Sequence, residues 1–346
     1  IPDPPYEPVA QWTNSTNGSS GSDESIQAAI DAGATTIYIS ASHTINNTIF
    51  VRNKVKRIIQ LAGSNRIGIS GDVLSGAKPM FNIQKAAGDT VIIENMEIQS
   101  APKTFLHTTT CALVLKDMAC WTYENTVKGG RLFCDNVTMV GIKLLGQKAY
   151  MRQINPERNQ DPKILNDGGE LWILGLKTEH PGTVIRTINN GRTEVAGGSI
   201  YPVDVLPSNQ VVLEAINSHV SSVLLIPRNY ADSTRFYRNF VKETWGTTTK
   251  YQKYAPSLFC GGPPGPTPMD DTSRRSSAKR AQAGCTIVGG KLGVTSETGA
   301  KVTVMSPAGR VLARGYSSPS EPFSVNLAGH GKGALIVRIC EASGKT

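Results

Sequence analysis

A short apolar pattern that closes on Asn or Asp returns about every 20 residues along the first half of the chain. It reads Val91-Ile-Ile-Glu-Asn-Met96, then Leu113-Val-Leu-Lys-Asp-Met118, then Leu132-Phe-Cys-Asp-Asn-Val137. One β-rich segment per repeat, with no helical unit beside it, predicts a solenoid in which each turn of chain stacks on the last.

Placed in register, the repeats form columns. Val91, Leu113 and Leu132, with Ile93, Leu115 and Cys134, supply the inward positions. Cys134 thus reads as a small core residue. Asn95, Asp117 and Asn136 align, and the same column is expected to continue through Asn155, Gly175 and Gly197. These residue types tolerate left-handed turns, which explains why one position keeps that character. One position earlier, Glu94, Lys116 and Asp135 alternate in sign and predict an outer charged ladder of little worth for stability.

Other segments frame this core. The Pro-, Asn-, Ser- and Gly-rich start predicts an extended or mobile arm over residues 1–20, with glycosylation-type patterns at Asn14 and Asn17. Ser22 to Ser25 offers caps for a short helix whose apolar stripe is Ile26, Ala29 and Ile30, stopped at Gly33. Thr36 to Ser40 and Thr44 to Val51 alternate like strands. Further β-rich segments begin at Glu170, Thr183, Thr193 and Gln210, so the solenoid spans residues 21–262. Residues 263–284, rich in Pro, Gly and basic groups, read as a linker, and residues 285–346 as a separate strand-rich domain.

The run from Ser25 through Ile39, with Thr44 to Arg52 and Lys56-Arg-Ile-Ile59, resembles the capping helix and first coils of pectate-lyase-like proteins. That group includes relatives of polygalacturonases. The resemblance covers roughly residues 20 to 260. It implies an all-β fold there, a right-handed single-stranded parallel β-helix with an N-terminal capping helix; a small C-terminal β-sandwich is expected to follow from a separate resemblance in residues 285–346. It says little of activity, because the superfamily holds lyases, hydrolases, epimerases, tailspikes and proteins without known activity. The helix start, Gly21-Ser-Asp-Glu-Ser, departs from the usual Gly-Asp-Gly-x-x-Asp-Asp-Thr. Ser40-Ala-Ser-His43 stands where a Pro-x-Gly turn is usual. The strands around Gly309-Arg-Val311 and Leu335-Ile-Val-Arg-Ile339 resemble the β-sandwiches that end many exported bacterial proteins. That implies an extracellular or cell-surface location, with the C-terminal domain as the contact for export machinery.

Composition narrows the function classes. A net charge of +9 favours acidic partners such as anionic polysaccharide or nucleic acid. Basic residues gather in Arg228 to Arg238 and in Arg274-Arg275 with Lys279-Arg280; the second group sits in a Pro/Gly/Ser stretch without interleaved aromatics, and a nucleic-acid role is not expected. No segment reaches the roughly 18 apolar residues of a membrane span. Six cysteines form no CxxC pair and have no His at zinc-ligand spacing, so no metal site is expected. Cys285 and Cys340 bracket the last domain as one staple would. There is no GxSxG, HExxH or phosphate-binding loop.

The candidate site comes from a change in one column. Ile92, Val114 and Phe133 are apolar, whereas the register places Arg152, Trp172 and Glu194 at the same position in the next three turns. A Trp face stacks on a sugar ring, an Arg pairs with a uronate, and a Glu transfers a proton. Glu157 and Asp167 are the expected acid–base partners of Glu194, while Lys177 and Tyr201 join Trp172 and Arg152 in binding substrate. Glu179 is set aside as a partner of Glu194, being seven positions further along its turn than Trp172. Glu170 falls opposite Arg192 as a structural ion pair. The expected function is an exported polysaccharide-active protein: a glycoside hydrolase before a polysaccharide lyase, with no cofactor beyond calcium in the lyase case. In the lyase case Arg152 or Lys177 is the base. The rival from another class is a non-catalytic surface or fibre protein that uses the solenoid as a structural or carbohydrate-binding scaffold.

Overall fold

A computed structural model describes residues 1–2, 6–16, 20–61, 67–98, 100–225, 234–253, 259–262, 284–288, 291–295, 300–305, 311–318, 320–326 and 336–341. The chain divides into two compact units, Ile1–Gly265 and Pro266–Thr346. Both are built mainly of strands. Among the described residues no helix is long and apolar enough to cross a membrane.

The first unit opens on the helix Asp23–Asp31. Ser22 and Ser25 cap its start reciprocally, and Ile26, Ala29 and Ile30 are its buried stripe. The segment expected as one strand from Thr44 to Val51 is two, His43–Ile45 and Ile49–Val51. The chain breaks at Asn46, whose backbone N–H is taken by the Asp23 side chain at 2.9 Å.

Two long sheets then share the chain. An eleven-stranded sheet runs from Thr13–Asn14 to Phe259–Cys260, a ten-stranded sheet takes most of the intervening strands, and Gly21–Ser22, His43–Ile45 and Ile67–Ile69 form a short third sheet, so the chain returns to the first sheet at every circuit. Pairing is parallel throughout except where the last strands, Thr248–Gln252 and Phe259–Cys260, fold back antiparallel.

The strands Ala112–Ala119, Arg131–Met139, Lys148–Pro156, Glu170–Thr178 and Arg192–Ile200 each contain one residue at positive φ. These are Asp117, Asn136, Gln153, Gly175 and Gly197, at φ of 48°, 55°, 53°, 85° and 96°. Each is a corner that occupies one slot of the in–out alternation and so shifts its phase. Leu171 and Ile173 are buried before the corner, Leu176 and Thr178 after it. The same shift occurs around Asn136, with Leu132 and Cys134 before and Val137 and Met139 after. An unbroken period of two would put half of these residues in water.

The corner column corrects the expected register. Gln153, not Asn155, follows Asn136, a step of 17 residues where the steps before and after are 19 and 22. That circuit is short because only Gly146 and Gln147 join Gly141–Leu145 to Lys148–Pro156. The same two-residue slip removes Arg152 from the column of Trp172. Tyr150 stands there, paired with Phe133 on one side and Trp172 on the other. Arg152 lies instead opposite Asp135 and Leu174, and extends the charged column.

That charged column is not merely exterior. Glu94 and Arg57, each 3 % exposed, form a buried ion pair. Tyr6 donates to Glu94 at 2.9 Å and lays its ring over the Arg57 guanidinium at 3.6 Å. The start of the chain, expected to be an extended or mobile arm, is therefore bound where it is described. Thr13–Asn14 pairs with Thr36–Ile39, Trp12 packs beside Tyr38, and Glu7 accepts from the hydroxyls of Thr35 and Thr36.

One polar cluster is buried inside the unit. His107, fully buried, contacts the Tyr123 hydroxyl at 2.8 Å and Cys111 Sγ at 3.3 Å, and Tyr123 donates to Gln147 at 2.8 Å. Cys111, Cys120 and Cys134 are buried free thiols, and Cys260 is exposed and free.

The second unit holds two antiparallel three-stranded sheets. Leu292 and Val294 from one and Val302 and Val304 from the other share one apolar cluster. The side chains of Cys285 and Cys340, and the linker but for Gly284, lie outside the described residues.

Burial pushes the His107 pKa down to about 4. The unfolded chain binds that proton from about pH 6.5 downward and the folded chain only near pH 4, so the stabilising contribution is whole above pH 6.5 and lost across this window. Denaturant unfolding is expected to show a loss of about 3 kcal/mol between those limits, and His107→Gln to flatten that limb. Equal slopes for the two proteins would contradict it.

Candidate functional site

The corner separates two outward faces of the long strands, and six of the seven expected site residues divide between them. Before the corner, Phe133, Tyr150 and Trp172 form an aromatic stack, with ring centroids 5.1 and 4.9 Å apart and planes within 13° and 6°. Glu194 follows Trp172 in register and is exposed. The half-buried Trp172 ring closes the stack. Stacked plates of this kind arise because parallel pairing repeats the same side-chain position at one strand spacing, about 4.8 Å.

Two shallow grooves flank Trp172 and Glu194. One, of ≈ 370 Å³, is lined by Ile1, Tyr150, Arg152 and the 60 % exposed Leu174. The other, of ≈ 400 Å³, is lined by Arg192, His219, Ser221 and Gly261. Glu194 is the one carboxylate among the described residues lining either groove. Arg152 sits at the rim with its guanidinium engaged by Asp135, Nε to Oδ1 at 2.7 Å. The expected grouping of Trp172 with Glu194 therefore stands in the structure, and Arg152 is their neighbour through a different column.

Past the corner lies a second cluster. Lys177 Nζ stands 2.7 Å from Glu157 and 2.5 Å from Glu179, and Asn155 donates to Glu157 at 2.7 Å. Tyr201 donates to Glu179 at 2.8 Å, with Lys177 Nζ 5.7 Å from its ring centre. His180 contacts Asp204 through Nδ1 at 2.9 Å and turns Nε2 toward Glu157 at 3.8 Å. From Trp172 this cluster is five residues away, roughly 16 Å of strand, and around the corner at Gly175.

Electrostatics tie the cluster together. Hydrogen bonds from Lys177 and then Tyr201 hold the Glu179 carboxyl below its usual range. Burial works against the Lys177 charge, but its bonds to Glu157 and Glu179 outweigh that and raise its pKa. The bond to Glu179 raises the Tyr201 phenol. Ligand atoms of Glu157, Glu179 and His180 lie within 4.8 Å of one another, a spacing that would suit a metal ion. The Lys177 ammonium already takes the cation's place between the two carboxylates.

Asp167 belongs to neither face. It ends the strand Ile164–Asp167 of the other sheet and accepts from Asn189 at 2.7 Å. Its expected role beside Glu194 has no geometric support, because the turn at Gly168–Gly169 intervenes before Trp172's strand begins. Glu170 faces Arg192 in register, yet its ion pair is to Lys148, at 3.4 Å on the other side.

Sequence reasoning missed Tyr150, His219 and His180 as site residues, set Glu179 aside and gave Arg192 only a structural role. The missed signal for Glu179 is its spacing: Glu157, Glu179 and Tyr201 each lie four residues after a corner, at Gln153, Gly175 and Gly197. No family model, no curated protein and no solved structure matches the chain.

Lys177→Gln is expected to lower stability by about 1 kcal/mol, discounted for the cluster's partial exposure. Because the folded Glu179 pKa lies below its unfolded value, its contribution is whole above about pH 4.5 and is lost as the pH falls through the depressed value. Carboxyl NMR titration should show Glu179 moving back up toward the ordinary range in the variant. An unmoved Glu179 would show that Lys177 does not hold it.

Proposed function

We propose that this chain is a right-handed parallel β-helix of the pectate-lyase-like kind, with a C-terminal β-sandwich, and that it binds polysaccharide on the face carrying Tyr150, Trp172 and Glu194. The observation that carries this reading is the aromatic stack ending at Trp172 with a groove on either side. A flat aromatic plate offers a pyranose ring apolar contact, while Glu194, Arg192 and Ser221 offer hydrogen bonds to its hydroxyls. The open, rod-like face suits a polymer more than a small molecule. The β-helix reading is supported by the chain's regular alternation between two parallel sheets and by the resemblance of residues 20 to 260. The resemblance of residues 285–346 to the β-sandwiches that end exported bacterial proteins supports an extracellular or cell-surface place.

Binding is favoured over cleavage at this face because Glu194 is the one carboxylate among the described residues lining the two grooves, and a glycosidase needs two carboxyls. Lyase chemistry loses its expected bases: Arg152 is engaged by Asp135, and the pKa of Lys177 is raised. One observation favours hydrolysis as a second reading. Glu157 and Glu179 bring carboxyl oxygens within 4.8 Å, near the ~5–5.5 Å spacing of retaining pairs, with Tyr201 beside them. In that case Glu179, held ionised, is the nucleophile and Glu157 the acid.

Calorimetric titration against a panel of neutral and acidic polysaccharides tests the first reading. Trp172→Ala is expected to weaken binding roughly 10-fold, the loss of about 1.4 kcal/mol of stacking. Unchanged affinity would remove the proposed face. Assays for new reducing ends and for unsaturated uronates, run on the wild type and Glu179→Gln, decide the second: reducing ends lost in the variant would establish hydrolysis, and none in the wild type would end it.

A further inference from the structure

A further groove, of ≈ 360 Å³, runs along the corner itself. The successive corner residues Asn136, Gln153 and Gly175 form one side of it, and Thr138, Asn155 and Lys177, each two positions further on, form the other. Thr138 and Asn155 are partners in register, and Lys177 takes the same place on the next strand. Polar side chains therefore recur along the groove at one strand spacing, about 4.8 Å. Neither Trp172 nor Glu194 lines it.

Two of these side chains have bonding capacity to spare. Asn155 gives its amide nitrogen to Glu157 at 2.7 Å, and a carboxylate only accepts, so the amide oxygen lies on the other side. That oxygen is covered and meets no donor, a costly state because it has lost water and gained nothing. Lys177 has three donors, and among the described residues two acceptors meet them, Glu157 and Glu179. Both side chains reach the same oxygen of Glu157, Oε1, each at 2.7 Å, so the spare acceptor and the spare donor belong to neighbouring groups. A hydroxyl accepts from one and donates to the other at once, whereas a carboxylate or a sulfate ester only accepts. Charge selects the same way. Lys177 is the one cation among the described residues lining the groove, and the carboxyls of Glu157 and Glu179 outnumber it. A further anion brought there meets repulsion.

We propose that the corner groove is a separate binding site for a neutral, hydroxyl-rich glycan, with Asn155 and Lys177 engaging one sugar hydroxyl and Asn136, Thr138 and Gln153 contacting its neighbours. Through Lys177 the groove adjoins the Glu157 and Glu179 pair, so a chain held in it lies beside the two carboxyls, and uronates are turned away. Its service to cleavage rests on the hydrolytic reading above; its binding of neutral sugar does not.

The test titrates the full chain with neutral hexasaccharides of glucose, mannose and xylose, and with an oligogalacturonate of equal length as the acidic counterpart. The side-chain NH2 resonances of Asn136, Gln153 and Asn155 report the groove directly. A neutral member is expected to move them, and the oligogalacturonate to leave them in place. Asn155→Leu should weaken that binding roughly 10-fold and the isosteric Thr138→Val roughly 3-fold, through lost hydrogen bonds. Thr138→Val keeps the bond between Asn155 and Glu157, so the result survives a folding defect in Asn155→Leu. In Trp172→Ala, altered around the corner, the shifts should remain. Amide resonances indifferent to every sugar overturn the site. So do shifts that follow the acidic chain as closely as a neutral one, that vanish in Trp172→Ala, or that persist at full affinity in both groove variants. Amide shifts without new reducing ends uphold the groove and remove hydrolysis. Reducing ends that depend on Glu179, without amide shifts, uphold hydrolysis and remove the groove.

Discussion

One left-handed residue in each long strand sets the geometry of the first unit. Asp117, Asn136, Gln153, Gly175 and Gly197 stack as a corner, and at each the in–out alternation slips by one position. That slip keeps Leu171, Ile173, Leu176 and Thr178 all buried although they straddle a bend. Asp and Asn tolerate this conformation because their short side chains make local hydrogen bonds, and Asn136 donates to Asp117 at 2.9 Å between successive circuits. Gly175 tolerates it without a side chain, at φ 85°, where a Cβ would be strained.

The corner also divides the outer surface by chemistry. Before it, aromatic rings stack because identical positions recur at one strand spacing. Beyond it, Lys177 holds two carboxylates from neighbouring circuits. Both patches thus have the same origin, a column of parallel register, and differ in what fills it: polarizable plates that attract along the stack, or alternating charges that neutralise each other. Arg57, in the column of Trp172, and Glu94, in the charged column beside it, meet as an ion pair covered by Tyr6. Replacing either partner would leave a buried charge unmatched, so the arm is bound into the stability of the sheet it crosses.

The β-rich character, the parallel stacking expected of a repeat, the helix at Ser22 and the core positions before the corner were legible in the residues alone. Val91, Leu113 and Leu132 with Ile93, Leu115 and Cys134 are inward as the pattern implies. Legibility failed at one place, where the circuit after Asn136 is 17 residues long. A period near 20 carried past it misplaces everything by two, which put Asn155 and Arg152 where Gln153 and Tyr150 belong. Gln lacks the turn signature of Asn or Gly, so nothing local marked the corner. Asp167 was misjudged for a related reason. Nearness in sequence to Trp172 counted for little once the turn at Gly168 and Gly169 assigned the two residues to different sheets.

By itself the sequence determined the residue types in each column and the apolar alternation that drives their burial, because those follow from side-chain chemistry and a backbone period of two. Only the tertiary structure decided which residues meet. Glu157, Glu179 and Tyr201 converge through parallel pairing across circuits of chain whose lengths are set by how tightly each loop turns, and no local pattern records that length. The arm's place on the outer column was hidden for the same reason. Tyr6 meets Arg57 and Glu94 across separations of up to 88 residues, a contact fixed by stacking distance in space and not by position along the chain.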